Sequence, residues 1–141
     1  MGELNLRYDV LKDDFTCAGE ASGKIKRTLK DLGFDANLIR NIAIAVYEGE
    51  INMVIHADGG VITCDIAPEC ITVVLDDKGP GIPDIDLAMQ AGYSTAPENV
   101  RQLGFGAGMG LPNIKKYSDE MRIETVIGKG TDLYLTVRVA E

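Results

Sequence analysis

Four short patterns carry residue types that could do chemistry together. In Glu48-Gly-Glu-Ile-Asn52-Met-Val-Ile-His56 a carboxylate, a carboxamide and an imidazole recur every four residues. On a helix that spacing stacks them on one face. The carboxylate can act as a base, and a carboxamide oxygen is a hard donor suited to Mg2+. Asp77-Lys-Gly79-Pro-Gly81 follows an apolar run. An aspartate there can accept a hydrogen bond from an exocyclic amine such as that of adenine, and the glycines let a flat ring approach the backbone. Gly104, Gly106, Gly108 and Gly110 alternate ahead of Leu111-Pro112. Successive backbone N–H groups in such a run can cradle an anionic phosphate, and Pro112 suits the first turn of a following helix. Last comes Gly128-Lys-Gly130-Thr131, a turn whose threonine hydroxyl could reach a phosphate.

Each pattern also has a plain structural reading. The polar face of the helix could be a solvated stripe, and Glu50 reads as simply that. From the helix alone the two readings stand even. A lone histidine is more often a helix-end or core residue than a catalyst. Asp-x-Gly-Pro-Gly is good turn chemistry, and in isolation the turn reading wins. The glycine run is no Walker loop, lacking Gly-Lys-Ser/Thr, and no dinucleotide fingerprint, because repeated parallel βαβ units are missing. Gly-Lys-Gly-Thr is at least a hairpin turn.

The elements that must position these residues follow from periodicity. Leu4, Leu6, Tyr8 and Val10 alternate, predicting a half-buried strand. Ala18, Ala21, Ile25, Leu29 and Leu32 have helical spacing, with Gly33 as a stop. A second helix, apolar over most of its circumference, is predicted from Ala36 to His56. Two β-rich runs flank Pro68-Glu69. A two-residue hairpin there pairs Ile66 with Ile71, Cys64 with Val73 and Ile62 with Leu75, all on one face. Cys64 is then a core residue and Cys70 points away, so no disulfide joins them. A short helix near 85–91, a helix at about 110–118 and a final hairpin around Gly128–Gly130 complete the order. The pattern β-α-α-β-β-α-α-β-β predicts an α/β (α+β) two-layer sandwich, a mixed, largely antiparallel sheet with helices on one face.

The 141 residues suit one domain, spanning 1–141. With 22 acidic against 14 basic residues the net charge is -8, which argues against nucleic acid or an anionic membrane as partner. The N-terminus does not read as a signal peptide, and no apolar run is long enough for a span. Cys17, Cys64 and Cys70 read as reduced thiols of a cytoplasmic protein, and their spacing with His56 fits no common zinc pattern.

In order and content together, the four patterns resemble the GHKL ATP-binding superfamily, which includes gyrase, the ninety-kilodalton heat-shock chaperone, histidine kinases and MutL-type ATPases. The likeness spans roughly residues 37–139. It is nearest to the small anti-sigma regulatory factors and stressosome switch kinases, which are protein serine/threonine kinases. The Glu48–His56 stretch is similar to the anti-sigma pattern. Gly92-Tyr-Ser94-Thr95 and Gly108-Met-Gly110-Leu-Pro112 are similar to the switch kinases. The resemblance implies ATP and Mg2+ as cofactors. Glu48 would be the catalytic base and Asn52 the metal ligand. Asp77 would bind the adenine amine, with Gly79 and Gly81 about the ring and Thr131 supporting that side. Residues 92–106 would form a short lid with Ser94 and Thr95 near its hinge, and Gly106, Gly108 and Gly110 would cradle phosphate. The implied partner is a small anti-sigma-antagonist-like protein phosphorylated on serine or threonine, with a sigma factor as a second candidate and a homodimer as the suggested assembly. One departure stands out. Such kinases carry an arginine just before the last glycine pair, where this chain has Gly106-Ala107; Arg101 is the nearest arginine but wrongly spaced. That departure supports an alternative, a nucleotide-responsive binding module with little catalysis.

Overall fold

The computed structural model describes residues 4–10, 19–56, 59–79 and 110–139. Five strands and three helices lie within them: β1 (Leu4–Val10), α1 (Glu20–Asp31), α2 (Ala36–His56), β2 (Gly60–Ile66), β3 (Cys70–Asp77), α3 (Gly110–Lys116), β4 (Glu120–Val126) and β5 (Gly130–Arg138). The sheet order is β1-β2-β3-β5-β4. All four pairings are antiparallel. The largely antiparallel sheet is therefore met without any parallel pair among the described strands.

The hairpin β2–β3 has the expected register, Ile66 opposite Ile71, Cys64 opposite Val73 and Ile62 opposite Leu75. These six side chains are buried on the helix side. β5 adds Leu133 and Leu135 to the same face, and β1 adds Val10. The intervening residues Thr72, Val74, Tyr134 and Thr136 form the other, half-exposed face. Cys64 is fully buried and Cys70 only partly so; both are free thiols. Burial holds the Cys64 thiol in its neutral form, with its pKa pushed up to about 12.

The helices cover that apolar face. α1 inserts Ile25 and Leu29, both with no exposed surface, each worth roughly 1.5–3 kcal/mol when buried. Gly33, with φ 84°, ends the connection as its left-handed conformation requires. α2 is the central helix, packed between α1 and α3 and laid on the sheet. It starts at Asp35, whose carboxylate accepts the Asn37 and Leu38 N–H groups. Gly49 marks its crossing of β3, since a Cβ there would lie 2.4 Å from Leu75 Cδ2. α3 is pinned by Ile114, which has no exposed surface.

Glu50 departs from the expected solvated stripe. It is only 3% exposed. Its carboxylate accepts the N–H of Ala21 at 3.2 Å and of Ser22 at 3.1 Å, the first turn of α1. Gly19 before that turn has no side chain to cap it, so Glu50 supplies the cap from the neighbouring helix. Among the described residues no helix is long and apolar enough to cross a membrane. The helix expected near 85–91 and the lid expected at 92–106 lie outside the described residues.

Candidate functional site

The helix α2 has two different sides at its middle. Glu50 turns into α1, while Glu48, two residues earlier, is half-buried and turns toward α3. There the Asn113 side-chain amide donates to Glu48 Oε1 at 3.5 Å. Asn52, half-buried, follows Glu48 by one helical turn, so both sit on one helix face as their spacing requires.

At the end of β3 stands Asp77, half-buried. The Thr131 N–H donates to its Oδ1 at 2.9 Å. Burial pushes the Asp77 carboxyl above its ordinary range; the Thr131 and Gly79 N–H groups oppose this, and the Asp76 charge reinforces it. The carboxyl is thus a fixed acceptor at a strand end. Thr131 is 9% exposed, and its hydroxyl lies 3.0 Å from the Thr125 hydroxyl across the β4–β5 pair. Its main chain serves Asp77, and its side chain meets β4.

Two glycines explain how these parts come so close. A Cβ on Gly130, at φ 145°, would stand 2.1 Å from the Asp77 carbonyl oxygen and 3.3 Å from the Gly79 nitrogen. Gly130 therefore lets β5 approach the strand end that carries Asp77. A Cβ on Gly60 would meet the Asp76 carbonyl at 2.2 Å, Met53 Cε at 2.6 Å and Asp77 Cα at 2.8 Å. The last turns of α2, next to Asn52, thus converge with the end of β3.

Beside Asp77, the outer sheet face carries a second acidic group. Asp132 pairs across strands with both Asp76 and Glu124. Burial, the hydrogen bond that the protonated Asp132 carboxyl donates to Asp76, and the neighbouring negative charges of Asp76, Glu124 and Asp77 push its carboxyl up to about 6.

The described residues thus hold two parts of the expected site. A strand part consists of Asp77, Gly79, Gly130 and Thr131, offering a hydrogen-bond acceptor beside closely packed glycine backbone. A helix part consists of Glu48, Asn52 and Asn113, offering a carboxylate and carboxamides. Gly110, the last of the alternating glycines, opens α3. Gly81, Ser94, Thr95, Gly106 and Gly108 lie outside the described residues, as does the side chain of His56. Reasoning from the sequence missed Glu50 as a cap and Asn113 as the neighbour of Glu48. Asn113 carried one signal, because asparagine is a poor helix former within a seven-residue helix.

Residues 36–141 match the family described as histidine kinase-, DNA gyrase B-, and HSP90-like ATPase. The serine/threonine-protein kinase RsbT of Bacillus subtilis (strain 168) is 32% identical over 112 residues, 77% of this chain and 78% of that one. The anti-sigma F factor of Caldanaerobacter subterraneus subsp. tengcongensis is 37% identical over 103 residues, 70% of this chain and 68% of that one. Among solved structures, the RsbU and RsbW domains of a Mycobacterium tuberculosis protein match with a TM-score of 0.64 at 19% identity. That match covers the whole of this chain and 33% of the other, and it supports the shared fold.

Proposed function

The chain belongs to the histidine kinase-, DNA gyrase B-, and HSP90-like ATPase family, and from that premise we propose how its residues carry out protein phosphorylation. It is an ATP-using protein serine/threonine kinase of the anti-sigma switch type, and it acts on a partner protein. The observation that carries the mechanism is the pairing of a half-buried carboxylate, Glu48, with a carboxamide one turn away on the same helix.

In this reading Asp77 accepts the adenine amine. Its Oδ1 is already engaged by Thr131, which fixes the plane of the carboxylate. Guanine would present an acceptor oxygen there, so adenine is preferred. The family resemblance would assign Gly79 and Gly81 to the ring, Ser94 and Thr95 to the lid hinge, and Gly106, Gly108 and Gly110 to the phosphates. Asn52 fits Mg2+, which is held through one or two protein oxygens together with substrate phosphates and water. The bound ion would neutralise charge on those phosphates. Glu48 takes the proton of the acceptor hydroxyl. The hydroxyl oxygen bonds to the γ-phosphorus as the bond to the β,γ-bridging oxygen breaks, and ADP leaves. The partner is a small antagonist-like protein in the cytoplasm, with a sigma factor as the second ligand of the switch and a homodimer as the working form.

The Gly106-Ala107 departure favours a second reading, a nucleotide-responsive binding module. Transfer of labelled γ-phosphate from MgATP to a recombinant antagonist-like partner separates the two. Wild-type transfer that Glu48→Gln abolishes while ATP still binds supports the kinase. Tight ATP binding with no transfer to any bound partner would leave the module.

A further inference from the structure

We infer that Asn113 is a positioning residue for Glu48, a role that rests on the reading of Glu48 as the base. The geometry comes from two helices held independently. Glu48 stands on α2, fixed by Gly49 against β3 and by Glu50 against α1. Asn113 stands on α3, whose seating is set by the adjacent Ile114, fully buried in the core. α3 is closed behind it by the Tyr117 N–H to the Asn113 carbonyl and by the Ser118 hydroxyl to the Ile114 carbonyl. One residue around the helix from Ile114, Asn113 reaches across to Glu48 Oε1.

The chemistry of the contact has one sense. A carboxylate only accepts, so the amide must present its NH2 group to Glu48. With Oε1 engaged, Oε2, which has no partner among the described residues, would take the acceptor hydroxyl, and the carboxylate plane is held by a second helix. The distance of 3.5 Å is loose, as catalytic hydrogen bonds commonly are before substrates arrive. Asn113 also lies three residues after Gly110, so the same short helix links the glycine run to the base. A purely structural asparagine explains less. At this position alanine would be the better helix former, so the amide costs helix stability unless its side chain is used.

That contrast makes the test. Asn113→Ala should lower kcat for serine phosphorylation of the partner roughly ten- to a hundredfold, the scale of one hydrogen bond to a charged group. The KM for ATP should stay unchanged, and the melting temperature should be equal or higher. Asn113→Asp, of equal size but unable to donate when ionised, should fall at least as far. In a Glu48→Gln background the alanine change should cost nothing more, because the group it orients is gone. The same loss in both backgrounds, or an unchanged kcat in Asn113→Ala, overturns the inference while leaving Glu48 as the base. Undiminished transfer by Glu48→Gln alone removes the base reading and this inference with it, so the two failures are told apart.

Discussion

Glu48 and Glu50 are the same residue type, two positions apart on one helix, yet they face opposite regions of the molecule. Glu50 is enclosed against the first turn of α1, and its carboxylate is spent on two backbone N–H groups. Glu48 faces α3, half-buried, and among the described residues it meets the Asn113 amide at 3.5 Å. Burial pushes the Glu50 carboxyl above its ordinary range, and the α1 N–H groups restrain that rise. The difference teaches that a carboxylate's task is set by what packs opposite it. A group whose lone pairs are engaged by a helix end holds structure, and one that only meets a side-chain amide of a second helix is the one proposed for chemistry.

The sharpest way to break this comparison is to neutralise each in turn. Glu48→Gln should cut phosphoryl transfer by on the order of a hundred- to ten-thousandfold with little change in melting temperature. ATP affinity should be equal or tighter, since a negative group near the phosphates is removed. Calorimetric binding beside a transfer assay checks both; a fall in ATP affinity that accounts for the whole loss of transfer would strip Glu48 of its role.

Asp77 is the intermediate case, a carboxylate engaged by backbone yet only half-buried at a strand end. Asp77→Asn should weaken ATP binding by roughly ten- to a hundredfold, about one charge-assisted hydrogen bond. It should leave the circular dichroism spectrum unchanged. ATP affinity equal to wild type would move adenine elsewhere.

Glu50→Ala should behave in the opposite way to Glu48→Gln. It strands the Ala21 and Ser22 N–H groups and should cost about 1–3 kcal/mol of stability. Below the melting range its rate of transfer per folded molecule should stay near wild type. Urea unfolding measures the first and the transfer assay the second.

The smallest effect is the pH dependence of stability. Asp132, Asp77 and Glu50 all have raised carboxyl pKa values in the fold. A raised carboxyl binds its proton more readily folded than unfolded. The stability this adds is fully present below the ordinary carboxylate range and is lost as pH rises through the folded value, about 6 for Asp132. The melting temperature should therefore fall as pH goes from about 5 to about 7. Asp132→Asn should flatten that slope, and an unchanged slope in the variant would refute the assignment to this group.

Much of the fold was readable in the sequence because its constraints are local. The two-residue turn at Pro68-Glu69 and alternation of period two leave one register, and the strands adopt it. The bounds of α2 followed from a long apolar pattern and are met at Ala36 and His56. The relations that escaped are between residues distant in the chain. Nothing local to Glu50 announces partners 28 and 29 residues upstream, and nothing near Glu48 announces an amide 65 residues away. In the same way, Gly130 reads as turn chemistry on its own, and its closeness to the Asp77 carbonyl appears only once β5 lies beside β3. Periodicity also leaves strand direction undetermined, so the all-antiparallel order waited for the pairing itself.

The seam between β3 and β5 has a consequence for how the molecule assembles. β2–β3 and β4–β5 each close over a short turn, whereas the bond from Thr131 to Asp77 joins residues 54 apart. Loop-closure entropy makes such distant pairing the slow step, after the hairpins have formed. The Asp77 end of β3, proposed to take adenine, should therefore mature late in folding, and in pulse-labelled hydrogen exchange the Thr131 amide should gain protection after the β2–β3 amides. A newly made chain would then have its sheet half-built before it could hold a nucleotide.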